Sequence, residues 1–286
     1  MQWGKGRRSD NVVDGRGGGG VGRLGGGLGL GGIAVVVVFG LITGQNPLDL
    51  LAMLSEQGTA PAHTQQQPPP AGDRDADFVS AILGDTEDTW GALFAQSGQQ
   101  YQQPKLQLFS GGVRSACGFA DSAVGPFYCP GDQRVYLDMS FFREMETRFA
   151  AAGDFARAYV IAHEVGHHVQ TLLGVSAKVD DARRRGASME GANGLSVRME
   201  LQADCLAGVW AYHAQQRLNW LEPGDLEAAL NAANAIGDDR LQQQSRGRVV
   251  PDSFTHGTSA QRARWFRTGF DKGDMNRCDT FAARSL

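Results

Sequence analysis

Asp154-Phe155-Ala156-Arg157-Ala158-Tyr159-Val160-Ile161-Ala162-His163-Glu164-Val165-Gly166-His167-His168-Val169-Gln170 is the stretch on which the reading of this chain turns. Phe155, Tyr159, Ala162, Gly166 and Val169 recur at spacings of three and four, so they share one face of a helix. Asp154 can cap its start, and Gly174 stands where helices usually stop. Inside it lies His163-Glu164-Val165-Gly166-His167. Six histidines and nine glutamates in 286 residues would produce such an H-E-x-x-H about 0.004 times by chance. On a helix, positions i and i+4 are neighbours, about 5–6 Å apart at Cβ. Two imidazoles so placed can bind one Zn²⁺ through nitrogens at about 2.0–2.1 Å. Glu164 then stands where a general base could take a proton from water. The alternative, three polar residues on a wet helix face, sits poorly with the flanking Ile161-Ala162 and Val165.

A catalytic zinc site needs three protein ligands and an open position. Leu173 stands where a third histidine of the metzincin pattern would be, and Gln170 replaces its glycine. Glu200-Leu201-Gln202-Ala203-Asp204 offers a carboxylate on a later helix, otherwise apolar at Leu206, Ala207, Val209 and Trp210. Glu200 is the expected third ligand. Asp204, four residues on, would accept the second ring N–H of a ligand histidine and set its tautomer. The reverse assignment, with Asp204 ligating, stays open. His256, in a loop before Ser259, is a candidate donor to a developing oxyanion, or a loop histidine bonded to backbone. His168 is displaced from the ligand face, His213 lies beyond Glu200 by more than three turns, and His63 falls in a linker.

Outward from these helices the pattern alternates. Spacings at 78–83 and 90–94 predict two helices; 141–150, 195–217, 225–236 and 259–270 predict four more. Alternation over 105–110 and 133–138 predicts two short strands. Val135 to Asp138 is the expected edge on which an extended peptide could pair. The class is α+β, mainly helical with a small sheet.

The start of the chain is different. Of 39 glycines, 16 lie within residues 1–44. Lys5, Arg7, Arg8, Arg16 and Arg23 against Asp10 and Asp14 leave residues 1–23 at +3. Residues 24–48 carry no charge, and about 20 such residues suffice to cross a bilayer. The expectation is a cytoplasmic basic tail (1–23) and a single transmembrane anchor (24–44). A Pro/Gln-rich linker (45–77) and a folded domain (78–286) on the extracytoplasmic or periplasmic side follow. A cleaved signal or a buried core segment are the alternatives. The chain's net charge of −4 gives no basic footprint for nucleic acid. An exported domain permits disulfides. Cys117 and Cys129 form the natural local pair, leaving Cys205 with Cys278; free buried thiols are the competing reading.

Three segments together resemble one known family: 163–170, Glu200-Leu201-Gln202-Ala203-Asp204-Cys205-Leu206-Ala207-Gly208, and Thr255-His256-Gly257-Thr258-Ser259-Ala260-Gln261-Arg262-Ala263-Arg264-Trp265. With Arg8-Ser9-Asp10-Asn11 and the Gly-rich apolar stretch, they look like the bacterial neutral zinc metallopeptidases. The resemblance implies a zincin-like, membrane-anchored protein holding one Zn²⁺ per chain through His163, His167 and Glu200. Glu164 would be its general base and a peptide or protein its substrate. The family is named for its motif, so peptidase activity is an inference. The contrasting function is a catalytically silent metal-binding regulatory or interaction protein at the membrane. Glu164 argues against it, because a purely structural site needs no base and is usually closed by four ligands.

Overall fold

Apolar residues repeating at helical spacing produce most of this fold, and two alternating runs seed its sheet. The computed structural model describes residues 1–16, 67–148 and 153–286. Their regular elements are β1 (Val12–Asp14), α1 (Arg74–Gln96), β2 (Lys105–Phe109), β3 (Gly112–Ser115), β4 (Gly118–Asp121), β5 (Phe127–Cys129) and β6 (Arg134–Asp138). There follow α2 (Ser140–Arg148), α3 (Asp154–Leu172), α4 (Val175–Arg184), α5 (Leu195–Leu218), α6 (Asp225–Ala235), α7 (Asp238–Arg246) and α8 (Ser259–Lys272). The architecture is mixed α+β with small sheets, as the periodicity implies.

The two helices expected at 78–83 and 90–94 are one, α1, capped by Asp73, whose side chain accepts from Ala76 N at 3.0 Å. Gly84-Asp85-Thr86-Glu87 reads as a break on propensity. Tertiary partners carry the helix through it: Trp210 Nε1 donates to Asp85 at 2.8 Å, and Arg7 pairs with Glu87 at 2.7 Å.

The main sheet has the order β1-β2-β6-β5, parallel except for the antiparallel β5–β6 pair. The expected edge at Val135 to Asp138 is therefore corrected. It is the interior strand β6, and Val135, Tyr136, Leu137 and Asp138 are all buried, as a strand covered on both faces requires. The edge strands are β1 and β5. Strands β3 and β4 form a separate hairpin.

Helices α3, α5 and α8 cross closely because glycine stands at each crossing. A Cβ on Gly166 would lie 3.0 Å from the Ala203 carbonyl oxygen. On Gly269 it would fall 1.9 Å from Cys205 O, and on Gly208 2.0 Å from Phe266 O, distances no side chain can occupy. Tyr159, Phe155, Trp210 and Phe266 fill the surrounding core. Disulfides join Cys117 to Cys129 and Cys205 to Cys278, the second tying the C-terminal tail to α5.

Among the described residues no helix is long and apolar enough to cross a membrane. The expected anchor at 24–44 lies outside the described residues, as does most of the expected linker. The ends on either side do not behave as separate pieces. Residues 1–16 pack on the domain, with β1 in register against β2, and Gln67 pairs with Asp14. The folded unit thus includes the first sixteen residues and begins again at Gln67, not at 78. Composition concealed this, because a short arm that docks on a larger domain needs few apolar residues of its own.

Candidate metal centre

Helix α3 carries His163 and His167 one turn apart, and the close crossing at Gly166 brings α5 beside them. Glu200 on α5 lies 3.1 Å from His163 Nε2 and 3.4 Å from His167 Nε2. One donor atom from each of these three side chains lies within 4.8 Å of the others. The Nδ1 atoms point the other way. His163 Nδ1 is 2.8 Å from Asp204 Oδ1, and His167 Nδ1 is 2.8 Å from Gln170 Oε1. Each ring is thus held with Nδ1 toward an oxygen acceptor and Nε2 toward Glu200, the arrangement that prepares an imidazole for a metal. Two imidazoles and one carboxylate with an open side toward a cleft suit Zn²⁺. Asp204 faces away from the Nε2 atoms, so of the two open assignments the geometry favours Glu200 as ligand.

Behind the histidines is a buried polar network. Asp204, with no exposed surface, accepts from Tyr159 OH at 2.5 Å and from Arg262 Nε and Nη2, both at 2.9 Å. Burial alone would raise its pKa; Arg262 and His163 beside it bring it down to about 2. Burial likewise opposes protonation of His163, but Asp204 and Glu200 outweigh it and raise its pKa. Gln170 extends the network, donating to Met199 O at 2.8 Å and to Gln202 Oε1 at 3.0 Å. Sequence reasoning missed Arg262, Tyr159 and Gln170. The one available signal was a charge on an apolar face: Arg262 shares the face of Phe266 and Gly269 on α8.

Glu164, 8% exposed, lines the cleft beside the histidines. Burial pushes its pKa up, against the pull of His163 and His167, which is the direction a general base at neutral pH needs. The cleft measures about 930 Å³. Val124, Phe127, Tyr128 and Phe141 give it one apolar wall, so edge strand β5 borders it directly.

His256 lines the same cleft but is not part of the three-residue cluster. Its Nδ1 is 2.9 Å from Thr255 Oγ1 and 3.3 Å from Asp238 Oδ1, and Asp238 raises its pKa. Asp238, also missed in sequence, builds the loop by accepting from the backbone N–H groups of Thr255, His256 and Gly257. His168 is buried elsewhere, between Gln102 O and Tyr128 OH. His213 bonds to Gly273 O, far along α5.

The chain is 52% identical to the uncharacterized protein YpfJ of Escherichia coli K12, over 98% of this chain and 99% of that one. It is 47% identical to the uncharacterized protein Rv2575 of Mycobacterium tuberculosis H37Rv, over 73% of each. No solved structure matches it. Residues 1–281 match the family described as "Putative neutral zinc metallopeptidase", and with that span matched the chain belongs to this family.

Proposed function

We propose that the chain is a zinc-dependent metallopeptidase. His163, His167 and Glu200 would hold the ion, which when bound supplies Lewis-acid polarisation of the scissile carbonyl and acidifies water. Glu164 takes a proton from the attacking water and delivers it to the leaving amine. Asp204, with Arg262 and Tyr159 behind it, keeps His163 in the ligating tautomer. His256, steadied by Asp238, is the donor toward the oxyanion. An extended peptide pairs along the β5 edge, its side chains against the apolar wall of the cleft. The observation that carries this reading is the convergence of both Nε2 atoms on Glu200 beside a buried glutamate at the floor of an open cleft. The two disulfides support placing the domain outside the cytoplasm, and the uncharged, apolar sequence of residues 24–44 supports a membrane attachment there.

The test uses the full chain. Bound metal is measured by mass spectrometry, and cleavage of a mixed peptide library is compared between the parent and Glu164→Gln. The expected result is unchanged metal content with turnover reduced about 10²–10⁴-fold. Equal cleavage in both proteins, or none in the metal-loaded parent, defeats the assignment.

A further inference from the structure

The motif Arg8-Ser9-Asp10-Asn11 plays no part in the chemistry above, yet the side chains of Arg8, Ser9 and Asn11 are all hydrogen-bonded to helix α1. Glu87 on α1, its side chain 1% exposed, accepts from Ser9 Oγ at 2.6 Å, Asn11 Nδ2 at 2.8 Å and Arg7 Nη2 at 2.7 Å. The backbone is paired as well. Ser9 N donates to Ser80 O at 3.0 Å, Leu106 N to Asn11 O at 2.9 Å, and Gly15 N to Leu108 O at 2.8 Å. Val12 and Val13 are buried against the domain. The surface is shaped to receive the arm: a Cβ on Gly84 of α1 would lie 2.8 Å from Arg7 O. Trp3 reaches the metal-site helix, donating from Nε1 to Asp154, the first residue of α3, at 2.9 Å.

Two consequences bear on membrane topology. Three of the five basic residues that argue for a cytoplasmic tail, Arg7, Arg8 and Arg16, pair with carboxylates of the domain. Arg7 pairs with Glu87 and Asp88, Arg8 with Asp77, and Arg16 with Asp14 and Asp73. The chain also departs and returns at one place, since Asp14 N donates to Gln67 O at 2.9 Å. If residues 24–44 crossed a bilayer once, residues 45–66 would have to cross back. That return stretch holds Asp49, Glu56, Pro47 and Pro61, and spanning needs about 20 predominantly apolar residues.

We infer that the N-terminal arm, Trp3 to Arg16, is an integral part of the metallopeptidase-family domain and lies in the same compartment as it. Arg16 and Gln67, the described residues on either side of the apolar stretch, therefore lie in one compartment, and the arrangement with tail inside and domain outside is replaced. This inference rests on the fold and not on peptidase activity.

The test is site-specific labelling of the full chain in cells. Gly4→Cys places a thiol on the arm, where a Cβ meets nothing within 4 Å. Arg185→Cys places one on the exposed C-cap of α4. A membrane-impermeant maleimide is applied before and after permeabilisation, with the parent chain as background. The expected result is that both sites respond alike. Labelling of one from outside and of the other only after permeabilisation overturns the inference. A second measurement uses Arg8→Cys with Asp77→Cys, residues whose side chains touch at 2.6 Å. A short bis-maleimide should join them within one chain in intact membranes, read as a cross-linked peptide by mass spectrometry. Two reactive thiols that never cross-link would also overturn it.

Discussion

Asp204→Asn is the substitution whose consequences follow most directly from the geometry. The change preserves volume and keeps one oxygen able to accept from His163 Nδ1 and Tyr159 OH. It removes the charge facing Arg262, which is 2% exposed, and presents an amide N–H₂ to the Nε–H that now donates to Oδ2 at 2.9 Å. Removing one partner of a buried pair costs about 3–5 kcal/mol, because the other charge is left uncompensated. At about 2–4 °C per kcal/mol for a domain of this size, the metal-free protein should melt about 6–20 °C lower. Independently, a ligand histidine that loses its carboxylate partner should weaken metal binding about 10–100-fold. The assays are calorimetry on the metal-free protein and competition with a chromogenic zinc chelator. Adding Arg262→Met separates the two effects: removing the stranded charge should recover much of the melting temperature and leave zinc affinity low. A single variant melting within 2 °C of the parent, or a double variant no more stable than the single, would refute the reasoning.

Other outcomes follow from the same structure. Gly269→Ala places a methyl 1.9 Å from Cys205 O, so α8 must move off α5; a melting temperature equal to the parent's would show that the crossing is not tight. Replacing both Cys205 and Cys278 by Ser opens a 73-residue separation, worth about 4 kcal/mol in chain entropy; the 12-residue pair Cys117 and Cys129 is worth about 3. Urea unfolding should therefore rank the first loss above the second, and the reverse order would sink the claim. Asp204 also sets an acid limit. Its folded pKa, about 2, lies below its ordinary 3.8, so its stabilisation is complete above pH 3.8 and fades as pH falls toward 2. That contribution is on the order of 2 kcal/mol. Metal-free protein should lose it between those values and the Asp204→Asn variant should not; parallel pH profiles would count against the assignment.

Much of the site was legible because helical spacing is a local property. His163, Glu164 and His167 declare their shared face within five residues, and Glu200 with Asp204 repeats the device on α5. Elements that owe their existence to partners were not legible. Strand β1 is three residues long and is a strand only because β2 lies beside it. Strand β5 is equally short, and it turned the expected edge at Val135 to Asp138 into an interior strand. The break read into the middle of α1 vanished because Asp85 and Glu87 find cationic partners more than 70 residues away in sequence.

The same division holds for the molecule as a whole. Local order along the chain was enough to predict an α+β class, a helix with two histidines one turn apart and a glutamate beside them, a second helix offering a carboxylate, and a natural pairing of the four cysteines that the structure bears out. Each rests on periodicity or on simple combinatorics, which need no knowledge of what lies opposite. Tertiary structure alone settled which oxygen faces which ring nitrogen, that Arg262 and Tyr159 stand behind Asp204, and that the first sixteen residues belong to the domain. Those are contacts between residues far apart in sequence. They are governed by how closely helices approach at Gly166, Gly208 and Gly269 and by which buried charges must find partners, conditions that exist only once the chain has folded.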